Sequence, residues 1–237
     1  MKRQSPRNTL FGGHRGLPRA YPDNTLAGIV AAAQVADFVE LDVRRSADGA
    51  MVLSHEPTFG DMIIHDHEWE ELRTFDLGGG HHPALLGEVL ERLTDTPLDI
   101  EIKNFPEQPG FDPHGVYALE VARCARSIDV VTSFFWPTMD IIKETLPLTR
   151  TGLLAFDVSG FDAIEAALAG GHEVVAPHFS HLIDSNLEMV ERAHEAGLEV
   201  ITWTVNDPDM ARRFVQAGVD AMISDDPLLI SRSNDEH

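Results

Sequence analysis

The chain is nearly without lysine and cysteine: its 237 residues include only Lys2, Lys103 and Lys143, and the single cysteine Cys124. Acidic residues outnumber basic ones 39 to 18, for a formal charge of −21. That field would repel a nucleic-acid duplex or an anionic membrane, so neither is expected as a partner. One thiol cannot close an internal disulfide, which suits a reducing compartment. In "HGVYALEVARCARS" Cys124 stands at helical spacing with Val116, Leu119 and Val121 nearby, and is expected as a buried structural thiol rather than a nucleophile. Long apolar runs are lacking too. None approaches the roughly 20 residues needed to cross a bilayer. The opening "MKRQSPRNTLFGG" carries charge with no apolar stretch behind it, so no signal peptide is expected. No Gly-x-Gly-x-x-Gly follows the first strand candidate, which removes support for a dinucleotide site. These absences describe a soluble, cytoplasmic chain with no stable membrane association.

What is present is alternation. Apolar, β-branched runs at 9–13, 38–43, 98–102, 130–135, 151–156, 173–177, 199–205 and 220–224 are separated by helix-like segments such as "TLAGIVAAAQVA", "LLGEVLERL" and "NLEMVERAHEA". Ala-Gly at 196–197 and again at 217–218 ends a helix just before a strand, as helix C-termini prefer. Eight strands alternating with helices fit a (β/α)8 TIM barrel, with an open doubly wound sheet as the alternative. Residues 1–237 are expected to form a single domain. One interruption is predicted: "MVLSH" follows "FVELDV" too closely for a crossover helix, so the two should form a hairpin. Taking Asp48-Gly49 as a two-residue turn pairs Arg45 with Val52 and Asp42 with His55. A small insertion loop, 56–83, follows. Its His65, His67, His81 and His82 read as polar loop residues rather than metal ligands.

In such a barrel the chemistry gathers at the C-terminal ends of the strands. His14 and Arg15 follow the first strand, Glu40 and Asp42 lie on the second, Glu101 and Lys103 on or after the third, and Trp203 and Asn206 near the seventh. Each alone has a plainer explanation as an edge carboxylate, a structural histidine or core packing. Together they place three carboxylates in apolar strands whose ends converge. Buried carboxylates repel one another and lose hydration, so they need countercharge. Arg15 and Lys103 supply some, and a divalent cation supplies more. Oxygen donors without cysteine favour one hard ion, Mg²⁺ or Ca²⁺, over zinc. A cation beside Arg15 and Lys103 is a site for an anion, phosphate first. His14 and His55 can pass protons there. The residues therefore point to metal-assisted cleavage of a phosphate ester, with a metal-dependent aldolase or isomerase as competitor.

The segments "GGHRGLPRAYPDNTLAGIVAA", "VELDVRRSADGAMVLSHEP", "DIEIKN", "TSF", "ITWTVND" and "GVDAMISDDP", in that order, resemble the glycerophosphodiester phosphodiesterase family over nearly the whole chain. The resemblance implies a metal held by Glu40, Asp42 and Glu101, and an acid–base pair of His14 and His55. It further implies Arg15 and Lys103 on the phosphate and Trp203 against the glycerol of a small-molecule glycerophosphodiester. In that family the substrate's own hydroxyl can attack phosphorus before water. Departures are Asp23, where the family usually has Glu, and Glu56, where it usually has Asp. A lysophospholipase D-type enzyme would instead need an apolar groove, for which Phe59, Met62, Ile63 and Ile64 are candidates. A non-catalytic phosphodiester-binding protein would not need two histidines.

Overall fold

The computed structural model describes residues 8–232; residues 1–7 and 233–237, which include Lys2 and most of the charged opening stretch, lie outside it. The chain begins with β1 (Leu10–Gly13), α1 (Leu26–Ala32), β2 (Phe38–Arg45) and β3 (Met51–Leu53). The insertion holds β4 (Thr58–Phe59), β5 (Met62–Ile63), a 3₁₀ turn and α2 (Trp69–Leu72), and leads into α3 (Leu86–Arg92). Regular alternation resumes with β6 (Leu98–Ile102), α4 (Val116–Cys124), β7 (Val130–Ser133), α5 (Trp136–Thr145), β8 (Thr151–Ala155) and α6 (Gly160–Gly170). It finishes with β9 (Val174–Pro177), α7 (Phe179–Asp184), α8 (Glu188–Glu195), β10 (Glu199–Thr202), α9 (Pro208–Ala217), β11 (Ala221–Ser224) and α10 (Pro227–Arg232).

Parallel pairing runs β1-β2-β6-β7-β8-β9-β10-β11 and returns to β1, so the sheet closes on itself. All eight expected strands take part. Because β1 is paired on both sides, the fold is a (β/α)8 barrel and not an open sheet. The strands are buried along almost their whole length, as parallel strands covered on both faces must be. Phe38, Val130, Leu154, Val174, Ala176, Ile201, Ala221 and Ile223 form a cluster of their own. A larger apolar cluster joins strands to helices through residues such as Leu41, Val89, Ile142 and Phe214. The Phe38 ring lies against Gly12, where a Cβ would come within 2.3 Å of it. Only glycine leaves that ring its space.

Sequence signals at the helix ends hold locally. The Asp207 side chain caps α9 by accepting from the Met210 N–H at 2.8 Å, with Pro208 in the first turn, and Gly218 closes it in left-handed geometry (φ 85°). Gly197 does the same after α8 (φ 81°).

Two expectations fail in detail. In the hairpin, Arg45 pairs with Met51, Arg44 with Val52 and Val43 with Leu53, one residue out of the expected register. The connection is a three-residue loop, Ala47-Asp48-Gly49, because Ser46 and Ala50 are joined by hydrogen bonds and Gly49 takes φ 86°. This is a turn followed by a left-handed glycine, the other common way a hairpin accommodates Asp-Gly. Ser54, not His55, therefore bonds the Asp42 backbone. Cys124 is exposed rather than buried. It is the last residue of α4, and the chain turns extended at Ala125.

The insertion carries its own small core of Val52, Phe59, Ile64 and Leu72, with Trp69 and Phe75 against it. Phe59 and Ile64 are buried in this local core. Among the described residues no helix is long and apolar enough to cross a membrane.

Candidate active site

The register of β2 and β6 sets Glu40 beside Asp99 and Asp42 beside Glu101. Alternation turns all four inward, and all are buried. One oxygen each from Glu40, Asp42 and Glu101 lies within 4.8 Å of the others. The Lys103 ammonium sits 2.8 Å from Asp42 Oδ1 and 2.5 Å from Glu101 Oε1. Asn24 clasps Asp42 at two points: its amide donates to Oδ2 at 2.8 Å, and its oxygen accepts from the Asp42 backbone N–H at 3.0 Å. The Arg15 backbone N–H donates to Glu40 Oε2 at 2.8 Å, and its guanidinium reaches Asp23 at 3.0 Å and Asp42 at 3.4 Å. Arg15 and Asn24 both hold left-handed backbone (φ 54° and 59°) to make these contacts. Non-glycine residues accept that geometry mainly where the surroundings impose it.

The electrostatics follow from burial and neighbours. Burial pushes the Glu40 carboxyl well above its usual range, and repulsion from Asp42, Glu101 and Asp99 adds to it. Burial raises Glu101 to about 7 despite the adjoining Lys103, and Asp99 to about 6 despite a hydrogen bond from Thr132. Asp42 goes the other way: burial raises it, but Lys103 and Arg15 together outweigh that and hold it below its ordinary value. Asp42 Oδ1 and Glu101 Oε1 meet the Lys103 ammonium and no other donor, which leaves each oxygen a second lone pair. Three converging hard oxygen donors with unspent acceptor capacity fit a hard divalent cation.

The two histidines enter from different elements. His14 follows β1, and its Nδ1 lies 2.7 Å from Asp225 Oδ1, just past β11. The Asn206 amide donates to Asp225 Oδ2 at 2.7 Å, and Asn206 Oδ1 accepts from the Asp225 N–H at 2.9 Å. The hydrogen bond with His14, then that from Asn206, keeps the Asp225 carboxyl low. An ionised Asp225 accepts the proton on Nδ1 and leaves Nε2 of the ring with its lone pair. His55 lies past the end of β3 and is not brought in by strand pairing. Arg44 holds its carbonyl through Nε at 3.0 Å, and Glu56 Oε1 meets its Nδ1 at 2.7 Å. Burial, then the Lys103 charge, lowers the His55 pKa, with Asp42 opposing.

His14, Arg15, Glu40, His55, Glu101, Lys103 and Trp203 line one cavity at the C-terminal end of the barrel. Asp42 is joined to them through Lys103 and Arg15. Phe134 meets the Trp203 ring edge-on at 5.4 Å, and the Trp203 indole N–H is fixed to the Ala176 carbonyl at 2.9 Å. A second hollow shares Arg15 and His55 and runs toward the insertion past Asn24, Ser54, Glu56 and Phe59. All eight residues expected from sequence thus assemble. Asp225, Asn24, Arg44 and Asp99 were not foreseen. For Asp225 the signal existed: closing the ring sets Gly13 beside Ser224, which brings the next residues, 14 and 225, together.

The glycerophosphoryl diester phosphodiesterase family model matches residues 14–229. A glycerophosphodiester phosphodiesterase from Caldanaerobacter subterraneus subsp. tengcongensis is 28% identical over 235 residues, covering 92% of this chain and 95% of that protein. Among solved structures, a glycerophosphodiester phosphodiesterase from Thermotoga maritima superposes with a TM-score of 0.79 at 25% identity, over 95% of this chain and 98% of the other. An Oleispira antarctica phosphodiesterase, solved in complex with the product sn-glycerol-3-phosphate, has a TM-score of 0.83 at 24% identity, over 96% and 97% of the two chains.

Proposed function

The chain belongs to the glycerophosphoryl diester phosphodiesterase family, and from that premise we propose that it hydrolyses a glycerophosphodiester to glycerol 3-phosphate and an alcohol. The observation that carries this is the meeting, around one cavity, of Glu40 and Glu101 with Asp42 bonded behind them, two basic side chains, and two histidines with separate carboxylate partners. The match over 14–229 supports reading the chain as a single phosphodiesterase domain.

Glu40, Asp42 and Glu101 would hold one divalent cation, Mg²⁺ or Ca²⁺. When bound, it supplies positive charge against the negative charge that grows on the phosphoryl oxygens. Arg15 and Lys103 hold the phosphate, and Trp203 with Phe134 gives the glycerol carbons an apolar wall. His14, oriented by Asp225, takes the proton from the attacking hydroxyl, which is either water or the glycerol's own; in the second case a water then opens the resulting cyclic phosphate to glycerol 3-phosphate. His55 borders both hollows and donates a proton to the departing alkoxide. Burial and the Lys103 charge hold its pKa down. A bound phosphodiester brings the negative charge that opposes that lowering. The alcohol then leaves through the hollow beside the insertion.

The test is a panel of glycerophosphodiesters assayed for released glycerol 3-phosphate, with and without chelator. His14→Ala and His55→Ala should each lower turnover by about 10²–10⁴. Turnover that persists in chelator would overturn the cation's role, and wild-type rates in both histidine variants would overturn theirs.

A further inference from the structure

Asp99 lies across from Glu40 in the strand register and lines the same cavity as Glu40 and Glu101. It is 1% exposed. The Thr132 hydroxyl donates to its Oδ1 at 2.7 Å, which fixes the plane of the carboxyl, while Oδ2 is buried without a partner. Among the described residues the cations around it are bonded to other carboxylates: Lys103 to Asp42 and Glu101, Arg15 to Asp23 and Asp42, and Arg150, whose charge is felt at Asp99, to Glu199. A carboxylate there has lost its hydration and faces Glu40, Glu101 and Asp42 without a paired countercharge. Nor does Asp99 belong to the group whose oxygens converge within 4.8 Å.

We propose that Asp99 is a positioning residue for the divalent cation, acting from outside its direct ligands through a water that joins the free Oδ2 to the ion, and that it sets the affinity of the site. This rests on the reading of Glu40, Asp42 and Glu101 as ligands. Thr132 then has a task as well, since its hydroxyl occupies Oδ1 and leaves Oδ2 free. Groups of this kind around a bound metal change its affinity by about 10- to 100-fold when removed.

The experiment is calorimetric titration of the chelator-stripped enzyme with MgCl₂ and with CaCl₂. Asp99→Asn keeps the shape and the acceptor for Thr132 but removes the charge. It should raise Kd by about 10- to 100-fold, and the cation concentration that gives half-maximal rate should rise by the same factor. Thr132→Val keeps the charge and loses the tether; it should weaken binding by a smaller factor, and it serves if the Asn variant does not fold. Unchanged Kd in these variants, with binding abolished by Glu101→Gln, would overturn the role of Asp99 alone. A wild-type enzyme that binds neither cation would overturn the ligand reading, and Asp99 with it.

Discussion

Glu101→Gln should stabilise the metal-free protein and, in the same stroke, deprive it of stabilisation by a cation. The buried carboxyl is raised from 4.5 to about 7. At about 1.4 kcal/mol per pH unit, its ionised form is about 3 kcal/mol less favourable in the fold than in the unfolded chain. The sign follows from linkage. Between pH 4.5 and about 7 the folded state binds the extra proton, so this group's contribution is full below that window and is lost as pH rises through it. Glutamine has no such loss. In chelator at pH 8 the variant should exceed wild type by about 3 kcal/mol, or about 6–12 °C in Tm for a chain of this size. At pH 5.5, still above the pI of 4.7, the gap should shrink to about 1 kcal/mol. Adding a divalent cation at about 100 times its Kd should raise wild type by about 2.7 kcal/mol and leave the variant unmoved. Differential scanning calorimetry at the two pH values, with and without cation, reads all of this. A variant that melts below wild type at pH 8 in chelator, or a gap independent of pH, would refute the reasoning.

Asp225→Asn should lower kcat by about 10²–10⁴ with cation affinity unchanged, since it disturbs only the partner of His14; steady-state rates beside a cation titration decide it. Arg44→Met removes the donor that holds the His55 carbonyl, and should lower kcat while leaving cation binding intact, measured in the same pair of assays. Gly12→Ala should destabilise by about 1–3 kcal/mol through overpacking against the Phe38 ring. Combining it with Phe38→Leu should recover part of that loss in a denaturant titration.

The barrel was legible because its strands are apolar on both faces and separated by helices with recognisable ends: Asp207-Pro208 opens α9 and Gly218 closes it. The carboxylate trio was legible for the opposite reason, since Glu40, Asp42 and Glu101 violate that apolar pattern. Contacts set by loop geometry were harder to see. Asp-Gly serves hairpin loops of two or three residues alike, and the choice is made by Ser46, whose hydroxyl accepts from the Ala50 N–H at 2.8 Å. That one-residue difference left Arg44 unrecognised as the support of His55. Asn24 was quoted in a motif, but its two-point grip on Asp42 depends on left-handed backbone at Asn24, which no periodicity reveals. Cys124 shows the limit of helical spacing, which assigns a stripe but not where the helix ends.

The pairing of β1 with β11 has a bearing on how the enzyme is made. During synthesis His14 emerges 211 positions before its carboxylate partner Asp225. During translation the imidazole therefore waits without its orienting group until the last strand of the ring has been synthesised and docked. Catalytic competence then marks completion of the circle, so stalled or shortened products ending before β11 should be inert even where their earlier strands have formed.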